Sequence, residues 1–204
     1  MNWLAHTFLS EANAEFRLGN LLADLVRGDE RARMSDDFVR GADCHKAIDA
    51  FTDAHPVVKR SRMRVAPEYR RFSGVLIDVF YDYLLATRWR TYAVAPLGQF
   101  TATFYAAAAV TQLPLPESAR ATLQRIVHHD SLGSYQRIEG VERALRRISV
   151  YLSGRWHREF SLERSIPALL DHEPEYALDF AEFFPQLRGH VEALLGQQIA
   201  EATH

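Results

Sequence analysis

The sequence predicts an all-α protein, a compact multi-helix bundle. Apolar residues recur at helical spacing through most of the chain, and no stretch sustains the alternation of a half-buried strand. At 204 residues the chain is long enough for one sizeable core. No repeat, low-complexity tract or linker divides it. Residues 1–204 are therefore expected to form a single helical domain, with the chemically informative motifs in 1–92 and residues 93–204 completing the core.

The elements follow in order. A first helix is expected over about 12–27, opening after the polar SEAN and stopping at Arg27-Gly28, because glycine commonly ends helices. Ser35 is placed to cap a second helix running to about Ala54, with Asp36 and Asp37 in the first turn, where carboxylates suit the positive helix end. Pro56 opens a third, short and basic helix, since proline fits the first helical turn. Pro67 opens a long helix containing FSGVLIDVFYDYLLATRW. Further helices are expected at roughly 96–111, 116–129, 139–152 and 174–201, joined by the connectors LPLPES, SLGS and LSGRWHREFS.

Composition narrows the function classes. A formal net charge of −2 argues against a dedicated nucleic-acid binder. The single cysteine, Cys44, excludes an internal disulfide and fits a reducing compartment. The start MNWLAHTFLSEANAEF lacks the basic and apolar regions of a signal peptide. The longest apolar run, YAAAAV at 105–110, is too short to span a bilayer. The expected location is cytoplasmic, away from membranes; composition leaves the oligomeric state open.

Asp78 and Asp82 carry the strongest chemical signal. Four residues apart, they share one face of a helix whose other positions include Leu76, Ile77, Val79, Phe80, Leu84 and Leu85. Burying an unpartnered carboxylate costs several kcal/mol or more, so the pair calls for a cation or a strong hydrogen-bond network. Asp24 lies in GNLLADLVRG, His45 and Asp49 lie one helical turn apart in CHKAIDAFTD, Asp53 extends that stripe, and His6 lies in LAHTFL. Imidazole with carboxylates is a ligand set for Mn²⁺, Mg²⁺ or Fe²⁺. With only one cysteine, a thiolate zinc site is excluded.

Each residue has a plainer reading. Asp24 with Arg27 makes a local surface pair, His45 and Asp49 a hydrogen bond on a solvated face, and Asp53 a cap for the next helix. The literal HHD at 128–130 resembles a phosphohydrolase doublet, yet it ends a polar helix before SLGS and reads as a cap, as His157 reads as a surface histidine. The stretch from Lys59 to Arg71 carries Lys59, Arg60, Arg62, Arg64, Arg70 and Arg71 against Glu68 alone. It is a solvated helix surface or a dock for an acidic or phosphate-bearing partner.

The blocks MNWLAH, GNLLADLVRG, HKAIDAFTD and IDVFYDYLL, in this order, resemble the acyl carrier protein phosphodiesterases, and the similarity runs from Met1 to about Trp89. The resemblance implies hydrolysis of the phosphodiester joining 4′-phosphopantetheine to the serine of acyl carrier protein, within lipid metabolism and fatty acid biosynthesis. It further implies a divalent cofactor, Mn²⁺ favoured, and a distant relation to HD-type phosphohydrolases. Asp24, His45, Asp49 and Asp78 fall in its motif blocks as metal ligands. Asp82 and His6 join them as catalytic candidates, with Asp78 the firmer ligand and Asp82 either supporting or acid–base. Arg27 and Lys46 are placed to neutralise phosphoryl charge, although Lys46 stands where the family is expected to carry arginine. The leaving serine oxygen needs a proton, from His6, Asp53 or Asp82. Lys59, Arg60, Arg62 and Arg64 would face the acidic carrier protein. Two other readings compete: a helical phosphohydrolase of a nucleotide or other small phosphate ester, and a non-catalytic helical binding protein whose carboxylates form a structural network.

Overall fold

Ser35 and Pro56 act where the sequence puts them. In the computed structural model, which describes the backbone of residues 1–202 and the side chains of residues 1–196, the described residues form twelve α-helices and three short 3-10 turns. Ser35 Oγ accepts from Phe38 N at 3.3 Å and opens α4 (Asp36–Ala54); Pro56 begins α5 (Pro56–Arg64). The all-α expectation holds, with no strand among the described residues.

Boundaries differ where local signals compete with packing. The helix expected over 12–27 is shorter, α2 (Ala14–Leu22), capped by Asn13. Beyond it, Leu25 N and Val26 N both bond Leu22 O in a tight turn, and a separate α3 (Gly28–Ala32) follows. A short α1 (Trp3–Phe8) precedes it, unanticipated by the helical spacing. Pro67 opens a 3-10 turn over 67–72 rather than the long helix itself, which is α6 (Ser73–Thr87). PEYRRF buries no residue, so it lacks the tertiary packing that sustains α6. Then come α7 (Trp89–Tyr92), α8 (Leu97–Ala109), α9 (Glu117–His128), α10 (Ile138–Trp156), α11 (Ile166–Asp171) and α12 (Glu173–Ala202). LSGRWHREFS is a connector only in its second half: α10 runs to Trp156 and ends on His157 in the left-handed conformation. The HHD triplet lies at the end of α9, with His129 at its C-cap position and Asp130 Oδ1 accepting from Gly133 N of the following 3-10 turn at 3.2 Å.

α6 is the axis of the core. It is apolar nearly all round, the pattern of a helix enclosed by others, and it packs against α1, α5, α10 and α12. α12 covers it with Tyr176, Phe180, Phe183, Phe184 and Leu187, all fully buried. Side chains from both halves of the sequence, Met1 to Val191, join one apolar cluster.

α12 is also fastened electrostatically. Asp179, 2% exposed, accepts from Arg60 Nε at 2.7 Å, from Ser61 Oγ at 2.6 Å and from Arg64 Nη1. Ser61 Oγ in turn lies 2.8 Å from the Tyr81 hydroxyl of α6. Arg60 also reaches Glu182, and Arg62 pairs with Asp53 at 2.6 Å. Arg60, Arg62 and Arg64 spend their charge on carboxylates of the same chain, and of the four residues expected to dock a carrier, only Lys59 keeps an exposed side chain without an ion pair among the described residues.

Candidate active site

The site is built where α1, α2, α4 and α6 converge. α2 and α4 cross at two glycines in near backbone contact: a Cβ on Gly19 would stand 2.0 Å from Phe38 O, and one on Gly41 would stand 2.0 Å from Phe16 O. That approach lets Asn20 on α2 serve two imidazoles at once. His45 Nδ1 donates to the Asn20 carbonyl at 2.7 Å, and His6 Nδ1 lies 2.8 Å from Asn20 Oδ1. Asn20 Nδ2 donates to Ser10 Oγ at 2.9 Å and faces Cys44 Sγ at 3.6 Å, so Oδ1 is its accepting end and His6 Nδ1 carries the proton. Both histidines are thereby held with Nε2 turned the other way.

Both Nε2 atoms point at one carboxylate. His6 Nε2 lies 3.2 Å from Asp49 Oδ1, and His45 Nε2 lies 3.1 Å from Asp49 Oδ2, with the two rings stacked at 4.1 Å between centroids. Both Nε2 atoms are buried without a well-formed hydrogen bond. Lone pairs aimed at a carboxylate repel it unless a positive charge stands between them. A proton supplies that charge at His45: burial opposes it, yet Asp24 and Asp49 raise the imidazole to about 9. Burial moves His6 the other way, down from its usual value, despite Asp49. Asp49 itself, though burial works against its charge, is held far below the usual carboxylate range by the two imidazoles. The three donor atoms lie within 4.8 Å of one another and include two neutral-capable imidazole nitrogens and a carboxylate oxygen, a set that fits a divalent cation. The Asn20 contacts are the outer bonds that usually orient metal-binding imidazoles.

The other predicted residues separate around this centre. Asp78 lines the same cleft, with one oxygen 3.1 Å from the α-amino group of Met1; burial pushes its carboxyl up, against the pull of that amine. Asp24 lies at the cleft rim, its side chain 75% exposed, with Oδ2 at 3.7 Å from His45 Nε2 and Oδ1 at 3.2 Å from Arg27 Nη2. It is not one of the three converging donors. Arg27 also lines the cleft. Lys46 does not: it is exposed and pairs with Asp43 at 3.2 Å, one turn away on α4. Asp53, paired with Arg62, is likewise outside.

Asp82 belongs to the fold rather than to the chemistry. Fully buried, it accepts from Leu4 N at 2.7 Å with one oxygen and from Ala5 N at 3.1 Å with the other. Those N–H groups open α1 and have no acceptor within their own helix, and Asn2, at the N-cap, makes no side-chain cap bond. Asp82 thus caps α1 from α6 and fixes the helix that carries His6. Asp82→Ala is expected to cost about 1–3 kcal/mol by orphaning two buried donors and to weaken metal binding through displacement of His6. Burial holds the Asp82 carboxyl up at about 7 against the two N–H donors. The folded protein therefore keeps this proton to higher pH than the unfolded chain, and the stability it contributes falls as pH rises from about 4 to 7. Urea titrations at pH 5 and pH 8 check this: the gap between wild type and variant narrows at pH 8, and an equal or wider gap refutes the assignment.

Asn20 was not flagged by sequence reasoning, although a lone amide in the apolar run of GNLLAD was a usable signal. Nor were Arg125 and Arg147, which reach the same cleft from α9 and α10. The cleft measures about 530 Å³.

The family model for acyl carrier protein phosphodiesterase matches residues 1–187. An acyl carrier protein phosphodiesterase of Pectobacterium atrosepticum is 40% identical over 89 residues, 44% of this chain and 46% of the relative. One of Yersinia pestis is equally identical over the same length and the same shares of both chains. One of Escherichia coli O127:H6 is 37% identical over 102 residues, 50% of this chain and 53% of its own. The chain thus spans about half the length of the relatives it matches. No solved structure matches it. With the family model covering nearly the whole chain, this protein belongs to the acyl carrier protein phosphodiesterase family.

Proposed function

We propose that the cleft hydrolyses the phosphodiester between 4′-phosphopantetheine and the serine of holo-acyl carrier protein, releasing the apo carrier, with a divalent cation, Mn²⁺ favoured and Mg²⁺ or Fe²⁺ as substitutes. The observation that carries this reading is the Nε2 atoms of His6 and His45 converging on the Asp49 carboxylate in a cleft that also holds Arg27. His6, His45 and Asp49 would hold the cation. When bound, such an ion acidifies water and offsets phosphoryl charge. Asn20 keeps both imidazoles aimed. Arg27, freed from Asp24 at the rim, pairs with a phosphate oxygen. Asp78, whose carboxyl is raised by burial and which faces the cleft, holds the proton needed by the leaving serine oxygen. The relation to HD-type phosphohydrolases is part of this proposal and rests on His and Asp donors drawn from two helices, α1 and α4, of an all-α fold.

A cytoplasmic location and a role in fatty acid biosynthesis belong to the same reading, supported by the single buried free Cys44 and by the relatives' carrier-protein names. No helix among the described residues is long and apolar enough to cross a membrane. The test is to incubate Mn²⁺-loaded protein with holo-acyl carrier protein and follow the carrier by mass spectrometry. Loss of the phosphopantetheine mass is expected, and EDTA should prevent it. An unchanged carrier overturns the reading. Equal turnover of bis(p-nitrophenyl) phosphate with no loss from the carrier favours a small-ester phosphohydrolase instead.

A further inference from the structure

The second half of the chain closes the cleft with two arginines. Arg125 on α9 and Arg147 on α10 line it together with His6, His45, Asp49 and Asp78. Several arginines of this protein already have carboxylates: Arg27 at the cleft rim with Asp24, Arg31 with Asp43, Arg40 with Glu11 and Asp37, Arg60 and Arg64 with Asp179, Arg62 with Asp53. Arg125 and Arg147 have none among the described residues. Arg147 is half-buried, with its guanidinium 3.9 Å over the Trp3 ring, so it is held in place and partly desolvated without a counter-charge. Burial accordingly pulls its pKa down from the usual arginine value. Arg125 Nη2 donates to Thr122 Oγ1 at 3.0 Å, which fixes one edge and leaves the remaining donors for a ligand. The same two side chains border a second cavity of about 200 Å³, which Arg143 and His129 also line.

We propose that Arg125 and Arg147 form an anion subsite facing the His6–His45–Asp49 centre, and that the anion is the phosphodiester of the substrate. Planar guanidinium forks match phosphate oxygens in a way that ammonium groups do not. A desolvated, fixed arginine without a carboxylate gains most from such a ligand. The subsite also assigns a role to residues 93–204: the motif-bearing half supplies the donors, and α9 and α10 supply the wall that holds the phosphate against them. This rests on the phosphodiester reading above.

The test measures inorganic phosphate binding to the Mn²⁺-loaded full chain by calorimetry, beside KM and kcat for holo-acyl carrier protein. Arg147→Gln is expected to weaken phosphate binding and raise KM by about tenfold or more, equivalent to about 1.4 kcal/mol, with Mn²⁺ affinity unchanged and partial rescue by Arg147→Lys. Arg125→Gln, at an exposed position where folding is not at stake, is expected to act in the same direction. If both Gln variants bind phosphate as wild type does while carrier turnover continues, the subsite is refuted and the activity stands. If wild type never turns over the carrier but the variants still lose phosphate binding, the subsite stands and the carrier reading falls.

Discussion

Asp49→Ala is expected to lower Mn²⁺ affinity by on the order of 100-fold or more and to abolish turnover of the carrier. The reason is geometric: Asp49 faces the Nε2 atoms of both imidazoles, with Oδ1 at 3.2 Å from His6 Nε2 and Oδ2 at 3.1 Å from His45 Nε2. Removing it takes one donor from the set and releases the field that keeps the other two in register. Loss of a group that only orients a ligand typically costs about 10- to 100-fold, and Asn20→Ala is expected to fall in that range. Stability should respond differently. The Asp49 side chain is 41% exposed, so the ion-free variant should fold, and its melting in EDTA separates a lost metal from a lost fold. Calorimetric titration with Mn²⁺ decides: binding within a few-fold of wild type refutes the assignment of Asp49 as a ligand.

What the sequence made legible was what neighbours along the chain determine. Ser35 capped its helix and Pro56 opened the next because caps and proline act on the turn they sit in. His45 and Asp49 met because four residues make one turn. Asp82's role stayed open between supporting and acid–base because its partners, Leu4 N and Ala5 N, come from a helix far away in sequence. The apolar surroundings correctly implied that its charge was answered, but two backbone donors and an ion answer it equally well. The carboxylate partners of Arg60, Arg62 and Arg64 were hidden for a related reason. A run of like charge predicts a basic face only if nothing folds onto it, and Asp179 of α12 folds onto two of the three. Long-range carboxylates, invisible to local patterning, decided which arginines are free. Arg125 and Arg147, with no cluster to mark them, were the ones left at the cleft.

Gly41→Ala is expected to destabilise the protein by about 3 kcal/mol or more, at the upper end of overpacking costs. Ala would place Cβ 2.0 Å from Phe16 O, which is backbone and cannot rotate away. α2 and α4 must therefore separate, and the reciprocal contact of Gly19 with Phe38 O opens with them. The same separation stretches the 2.7 Å bond from His45 Nδ1 to the Asn20 carbonyl, which also crosses between α2 and α4. Folded Gly41→Ala should thus bind Mn²⁺ more weakly although residue 41 touches no donor. Gly189→Ala is the control: it lies in α12 with nothing within 4 Å of where its Cβ would stand, and the better helix former should leave stability unchanged or raise it by up to about 1 kcal/mol. Urea unfolding of the two variants checks the contrast, and Gly41→Ala within about 0.5 kcal/mol of wild type would mean that the crossing is looser than 2.0 Å implies. The site's precision would then need another source than the glycine contact, because Asn20 reaches both His6 and His45 only where α2 and α4 touch.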